Sequence, residues 1–189
     1  PWSLWDGKDY KNMSDQDEAK FRMIEYHKWK FKAKIFSPLA PLTVKRTPVL
    51  MSRVEYGFLG SYNKYKKSPF ETFYMGGDGM SGYSSTYATE TIGLRGYENG
   101  SIAGNGGYNS YGYAYSRLSM ELRYPFLLEP SSTIYGLVFV EAGNAWRDLK
   151  DFNPFQLKRS AGVGVRIFLP MIGLMGIDWA YGFDRPDGS

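Results

Sequence analysis

Arg95 is the first residue whose type and setting point to chemistry. It stands between Gly93-Leu94 and Gly96-Tyr97 in "TIGLRGYENGS", residues 91–101, a stretch without helical or strand periodicity. A guanidinium presents a planar fork of donors and pairs bidentately with carboxylates, which a lysine cannot do. If it leaves bulk water it needs such partners, because an unpaired buried charge is costly. The strands that follow the loop supply them on polar faces: Glu121, and Glu141 beside Gly143. A solvated loop arginine with no partner is the competing reading of the same residues.

Other reactive groupings fail on residue type or spacing. With no cysteine among 189 residues, a disulfide framework, a thiolate nucleophile and a Cys-type zinc site are excluded. His27 is the single histidine, so any catalytic triad or His-based metal site would depend on it. It opens an alternating segment on the parity opposite a row of lysines, an interfacial or lipid-facing position. "GGDGMSG" (76–82) contains Gly77, Gly79 and Gly82 in G-x-G-x-x-G spacing, but a dinucleotide loop requires a preceding parallel strand and a following helix. The acidic run "DGKDYKNMSDQDE" (6–18) places Lys8 and Tyr10 where a calcium loop needs oxygen ligands, and reads as a solvated external loop. Asn12-Met13-Ser14 matches a glycosylation acceptor, a tripeptide common by chance. Glu55, Glu121, Glu141 and Asp178 lie in the strands, but a glycosidase pair would need a sugar-binding cleft that the sequence does not show. The expectation is no enzyme, no metal and no cofactor.

What must position Arg95 is a set of strands. In "HKWKFKAKIF" (27–36), Lys28, Lys30, Lys32 and Lys34 alternate with Trp29, Phe31, Ala33 and Ile35. Successive strand side chains point to opposite faces, so one face is lysine and the other apolar. Five further segments, at 49–60, 114–126, 133–146, 158–170 and 174–183, behave alike. Arg53, Glu55 and Gly57 oppose Val54, Tyr56 and Phe58; Arg117, Ser119, Glu121 and Arg123 oppose Leu118, Met120, Leu122 and Tyr124. The third segment is apolar on both faces until Glu141. In the last two, Ser160, Gly162, Gly164 and Arg166 oppose Ala161, Val163, Val165 and Ile167, and Gly176, Asp178 and Gly182 oppose Ile177, Trp179 and Tyr181. An aromatic content of 17%, with 22 glycines, agrees with β structure and turns.

Short, proline-bearing connections near 38–46, 126–132 and 170–173 alternate with long polar ones at 1–20, 60–112 and 147–157. Tight turns at one end and long loops at the other mark an antiparallel outer-membrane barrel. A soluble sandwich is the alternative. Against it, the polar faces carry glycine and both charge signs, as a hydrated lumen would, and aromatics gather near strand ends as lipid-interface girdles do. Six strands cannot close a membrane barrel, and an open edge in lipid leaves backbone groups unsatisfied, so further strands are expected. The opening "PWSLWDGKDY" has no signal peptide and reads as an excised piece. No run approaches a membrane-spanning helix. The 23 basic residues are spread among 19 acidic ones, which gives no nucleic-acid patch.

Taken in order, "FYMGGDGMSG…IGLRGYENGS", "MELRYP", "FVEAGNAW" and "RSAGVGVRIFLPMIGLMGIDWAYGF" resemble the C-terminal barrel of the BamA family, within the wider group of barrels preceded by POTRA domains. The resemblance implies an all-β, antiparallel transmembrane barrel of sixteen strands, of which this chain holds about six, the tenth to the fifteenth. Residues 1–20 form an external loop, 21–60 a hairpin, 61–112 a long loop inserted in the lumen, 113–184 a four-strand meander and 185–189 the start of another external loop. Leu94, Arg95, Gly96 and Tyr97 correspond to the family's loop motif, whose arginine contacts Glu121 and Glu141 on the next two strands. The implied function is assembly of β-barrel proteins in the bacterial outer membrane, by templating client strands at a seam outside this chain. Implied partners are unfolded clients, periplasmic chaperones, accessory lipoproteins, outer-membrane lipid and lipopolysaccharide, together with POTRA domains and the remaining strands. A related translocation pore and a passive porin are the alternatives.

Overall fold

A computed structural model describes residues 2–14, 18–41, 43, 46–79, 90–102, 111–129 and 131–185. Its strands are β1 (Tyr26–Pro38), β2 (Val49–Ser61), β3 (Phe73–Met75), β4 (Glu90–Ile92), β5 (Ala114–Glu129), β6 (Ser132–Trp146), β7 (Lys158–Leu169) and β8 (Gly173–Gly182). The six long strands are those expected from the alternation. β5 alone differs notably: it runs through Pro125 to Glu129, with a register shift between Pro125 and Leu127 that absorbs Phe126. A bulge tolerates the proline because no ladder hydrogen bond is required of it there. The segment 1–20 contains a 3-10 turn at Trp2–Leu4 and the start of a one-turn helix, Glu18–Phe21.

The long strands form one antiparallel sheet in the order β1-β2-β5-β6-β7-β8, each pairing with its sequence neighbour among them. They contain 10 to 16 residues, enough for a tilted strand to cross a hydrocarbon layer. Registers carry the parity of each strand across the whole sheet. Ser119, Glu141, Ser160 and Gly182 form one row, and Met51, Glu121, Phe139, Gly162 and Ala180 form the next. Every expected polar face therefore belongs to one inner face.

The other face is apolar and uncovered. Trp29, Phe31, Met120, Val138, Val163, Ile177 and Trp179 all project from it, with Ile177 81% and Trp179 69% exposed. A soluble sandwich would cover this face with a second sheet. A continuous apolar surface across six strands exceeds what water tolerates and suits lipid.

The core lies on the inner face. Leu59, Phe73, Met75, Ile92, Leu94, Tyr97, Ile102, Tyr115 and Ala145 form a single buried cluster between the sheet and the segment 61–112. The inner face is therefore not the uniformly hydrated lumen that its glycines suggest. A side chain on Gly143 would run into Met75, and one on Gly57 into the Tyr115 ring and, at 2.9 Å, Phe73. These glycines leave room for the loop rather than for water.

The loop also has secondary structure of its own that alternation does not reveal. β3 and β4 pair in parallel, Phe73 with Glu90 and Met75 with Ile92. Three-residue strands are too short to show a period, and their partners lie 17 residues apart. Gly77 bridges Leu94, and both Gly77 and Gly79 adopt left-handed turn conformations. Gly82, the last residue of the G-x-G-x-x-G spacing, lies outside the described residues.

Replacing Gly57 by valine is expected to destabilise the folded barrel of the full-length protein by about 1–3 kcal/mol through overpacking. Ala33→Val on the outer face should change it by less than about 0.5 kcal/mol. The temperature at which the folded form disappears in unboiled gel electrophoresis measures both.

Candidate functional site

The loop reaches Arg95 from the buried Leu94, which packs in the core cluster and fixes where the next side chain emerges. The Arg95 guanidinium then lies over the Phe139 ring on the inner face, 3.5 Å from its centroid. Its Nη2 donates to Glu121 Oε1 at 2.6 Å and to Glu141 Oε1 at 2.7 Å, and its Nη1 donates to Asp178 Oδ2 at 3.1 Å. The backbone N–H of Arg95 donates to Glu141 Oε2 at 2.9 Å. Both oxygens of Glu141 are thus engaged by the same loop residue. One cation ties the loop to β5, β6 and β8.

Around it runs an alternating ionic network. Arg117 pairs with Glu141 at 2.9 Å and Glu55 at 3.6 Å, Arg123 with Glu121 at 2.6 Å, and Arg166 with Asp178 at 2.5 Å. The sheet contributes three guanidinium groups (Arg117, Arg123, Arg166) and four carboxylates (Glu55, Glu121, Glu141, Asp178) to this network. Arg53 lies on the same inner face, within electrostatic range of Arg117, Glu55, Glu121 and Glu141. Arg95 adds a cation from the loop.

Burial opposes the charge on Arg95, but Glu141 and Glu121 outweigh it and hold the guanidinium above its already high ordinary pKa. Side-chain exposure is 12% for Arg95, 8% for Glu121 and 0% for Glu141. A dry setting strengthens such pairs and makes the loss of one partner expensive.

The rest of the motif fastens the loop to the far end of β7 and β8. Gly96 takes φ 90°, and a Cβ there would stand 2.9 Å from the Gly182 nitrogen and the Tyr181 carbonyl carbon. Only glycine satisfies both demands at once. The Tyr97 hydroxyl donates to the Arg159 carbonyl at 2.7 Å and accepts from the Asp184 N–H at 3.1 Å. Burial is the main cause that raises its pKa. Arg185 Nη2 donates to the Gly96 carbonyl at 3.1 Å.

Leu94, Arg95, Gly96, Tyr97, Glu121 and Glu141 are therefore gathered in one place. Reasoning from sequence did not single out Asp178 as the third partner. Its signal was available: it shares the inner parity and pairs in register with Gly164, whose missing side chain leaves space beside it. His27 faces outward, half-buried against Tyr62 at 5.1 Å between ring centroids. In the acidic segment, Asp6 and Asp9 accept from the backbone N–H groups of Lys8 and Lys11, as turn-capping residues do. Among the described residues no three His, Cys, Asp or Glu side chains cluster so as to hold a metal.

An open wall of long antiparallel strands, apolar outside and tied to an inserted loop inside, defines a transmembrane β-barrel segment. The Omp85 superfamily domain matches residues 20–189, and the chain belongs to this superfamily. The fold is similar to that of BamA from Haemophilus ducreyi lacking POTRA domains 1–3, with a TM-score of 0.62 at 21% identity. The similarity covers 87% of this chain and 33% of that one, so the chain spans about a third of its relative's length. None of the curated proteins compared matches the chain.

Glu141→Gln is expected to cost about 3–5 kcal/mol, because it breaks a buried pair and leaves Arg95 and Arg117 undercompensated. Asp178→Asn, at a site 20% exposed, should cost about 1 kcal/mol or less. Thermal unfolding of the full-length variants gives the order; equal losses would contradict the assigned geometry.

Proposed function

We propose that this chain forms part of the barrel of an outer-membrane β-barrel assembly protein, one that folds and inserts other barrels into the bacterial outer membrane. The work is non-enzymatic: exposed strand edges pair with client strands by β-augmentation, each client backbone group exchanging water for a ladder partner. No nucleotide or cofactor enters this scheme. Its partners are unfolded barrel clients, the chaperones that deliver them, accessory lipoproteins, and the surrounding lipid and lipopolysaccharide.

One observation carries the proposal: the long loop is drawn onto the inner face and tied there by Arg95, with Glu121, Glu141 and Asp178 on three strands. A loop fixed this way braces the wall while other parts of the barrel open and close. The same observation disfavours a passive porin, whose inner face must be wetted and clear for solute. The superfamily also accommodates a translocation pore, which requires the loop to leave the lumen during transport.

Vesicles containing the full-length protein are expected to accelerate folding of an added unfolded barrel client over empty vesicles. Arg95→Lys should reduce that acceleration several-fold, since lysine keeps the charge but loses the fork. Ion conductance without any stimulation of client folding would contradict the proposal and favour a channel.

A further inference from the structure

The four lysines of β1 face inward at alternate positions, about 6.6–6.8 Å apart along the strand. Glu90, the first residue of β4, lies over three of them. Its carboxylate stands 3.0 Å from Lys28 Nζ, 3.0 Å from Lys30 Nζ and 3.8 Å from Lys32 Nζ. Glu71 adds a second contact to Lys28 at 2.8 Å, and the same ammonium sits 4.9 Å over the Phe73 ring. Burial works against the charge on Glu90, yet Lys30 and Lys28 prevail and keep its carboxyl below the ordinary carboxylate range. Here the polarity of the arginine site is reversed: the loop brings anions and the sheet brings cations.

Chain geometry links the two sites. From Glu90 to Arg95 is five residues, a reach of about 17 Å when extended. Between β1 and β6 lie three strand spacings, about 14 Å. The intervening loop can therefore cross the sheet, with an anion at one end near a cationic strand and a cation at the other near carboxylates. Reversing or sliding the loop would oppose like charges at both ends.

The two ends differ in wetness. At the arginine end the ion-paired side chains of Arg95 and Glu141 are 12% and 0% exposed; at the other end Lys28 and Glu90 are 13% and 23% exposed, and Lys30, Lys32 and Glu71, at 41%, 48% and 37%, are wetter still. Exposed pairs are weak and are screened by salt, whereas dry ones are not. Backbone support differs in the same sense. β3 exchanges two hydrogen bonds with Gly112, at 2.9 and 2.8 Å, while β4 is tethered through β3, with Glu90 N–H donating to the Thr72 carbonyl at 2.9 Å.

We infer that the Glu90–lysine contact is a second latch of the loop, opposite in polarity to the Arg95 clamp and weaker than it. The loop consequently releases at β4 first, with Arg95 still seated as the pivot. This concerns the order in which the loop opens and stands independently of whether the barrel inserts clients.

Amide hydrogen exchange on the full-length protein in vesicles reads the order directly. The reporters are the amides of Glu90 and Gly76, which bond across β3 and β4, and the amide of Arg95, which bonds to Glu141. Raising salt from about 0.1 to about 1 M shortens the screening length from about 10 to about 3 Å. Glu90 and Gly76 should then exchange about three- to tenfold faster, as loss of exposed ion pairs allows, while Arg95 stays protected. Glu90→Gln should give the fast rate at low salt and remove the salt response. The pair Lys28→Gln and Lys30→Gln should do the same from the other partner. Salt-insensitive exchange in the wild type, an unchanged salt response in Glu90→Gln, or loss of Arg95 protection together with Glu90 would each overturn the inference.

Discussion

A guanidinium taken out of water and surrounded by three carboxylates governs the inner face of this barrel wall. Arg95 could not be placed there without Glu121, Glu141 and Asp178, and those acids could not be packed so closely without a cation among them. The sheet meets half of this requirement by itself, interleaving Arg117, Arg123 and Arg166 with four acids. The loop adds a further cation from outside the sheet. The interaction is thus a condition that two distant parts of the sequence must satisfy together, and it selects one docked position for a loop of some fifty residues.

Apolar packing reinforces that selection without duplicating it. Leu94, Ile92, Met75 and Phe73 bury themselves on an inner face whose glycines make room, and the cluster they form is the core of the described structure. Hydrophobic burial is non-directional and would allow neighbouring docked positions. The charges at the two ends of the segment from Glu90 to Arg95 remove that freedom. Position comes from charge, and the gain in burial from the residues between.

The wall was largely legible in the sequence because a period of two is a strong constraint wherever one face meets lipid and the other does not. Parity placed Lys28 to Lys34, Glu55, Glu121 and Glu141 on one face, and the motif "LRGY" with its resemblance to a known barrel family brought Arg95 to the last two. Loop contacts were less legible. Asp178 carries its parity but nothing that names its partner, and Glu90 carries no local signal, since their partners lie 83 residues and about 60 residues away in sequence. The parallel pairing of β3 with β4 was hidden for a related reason, as three residues cannot display a repeat. Glycines on the inner face were read as a sign of water, whereas Gly57 and Gly143 admit the loop. Only the three-dimensional neighbour distinguishes the two.

Arg95 and Glu141 hold the loop by direct coupling rather than by separate effects on the fold. A double-mutant cycle in the full-length protein, with Arg95→Gln, Glu141→Gln and the pair, isolates that coupling. A coupling energy of about 2 kcal/mol or more is expected, with the double variant little worse than the poorer single one. Additive losses, with a coupling near zero, would contradict it.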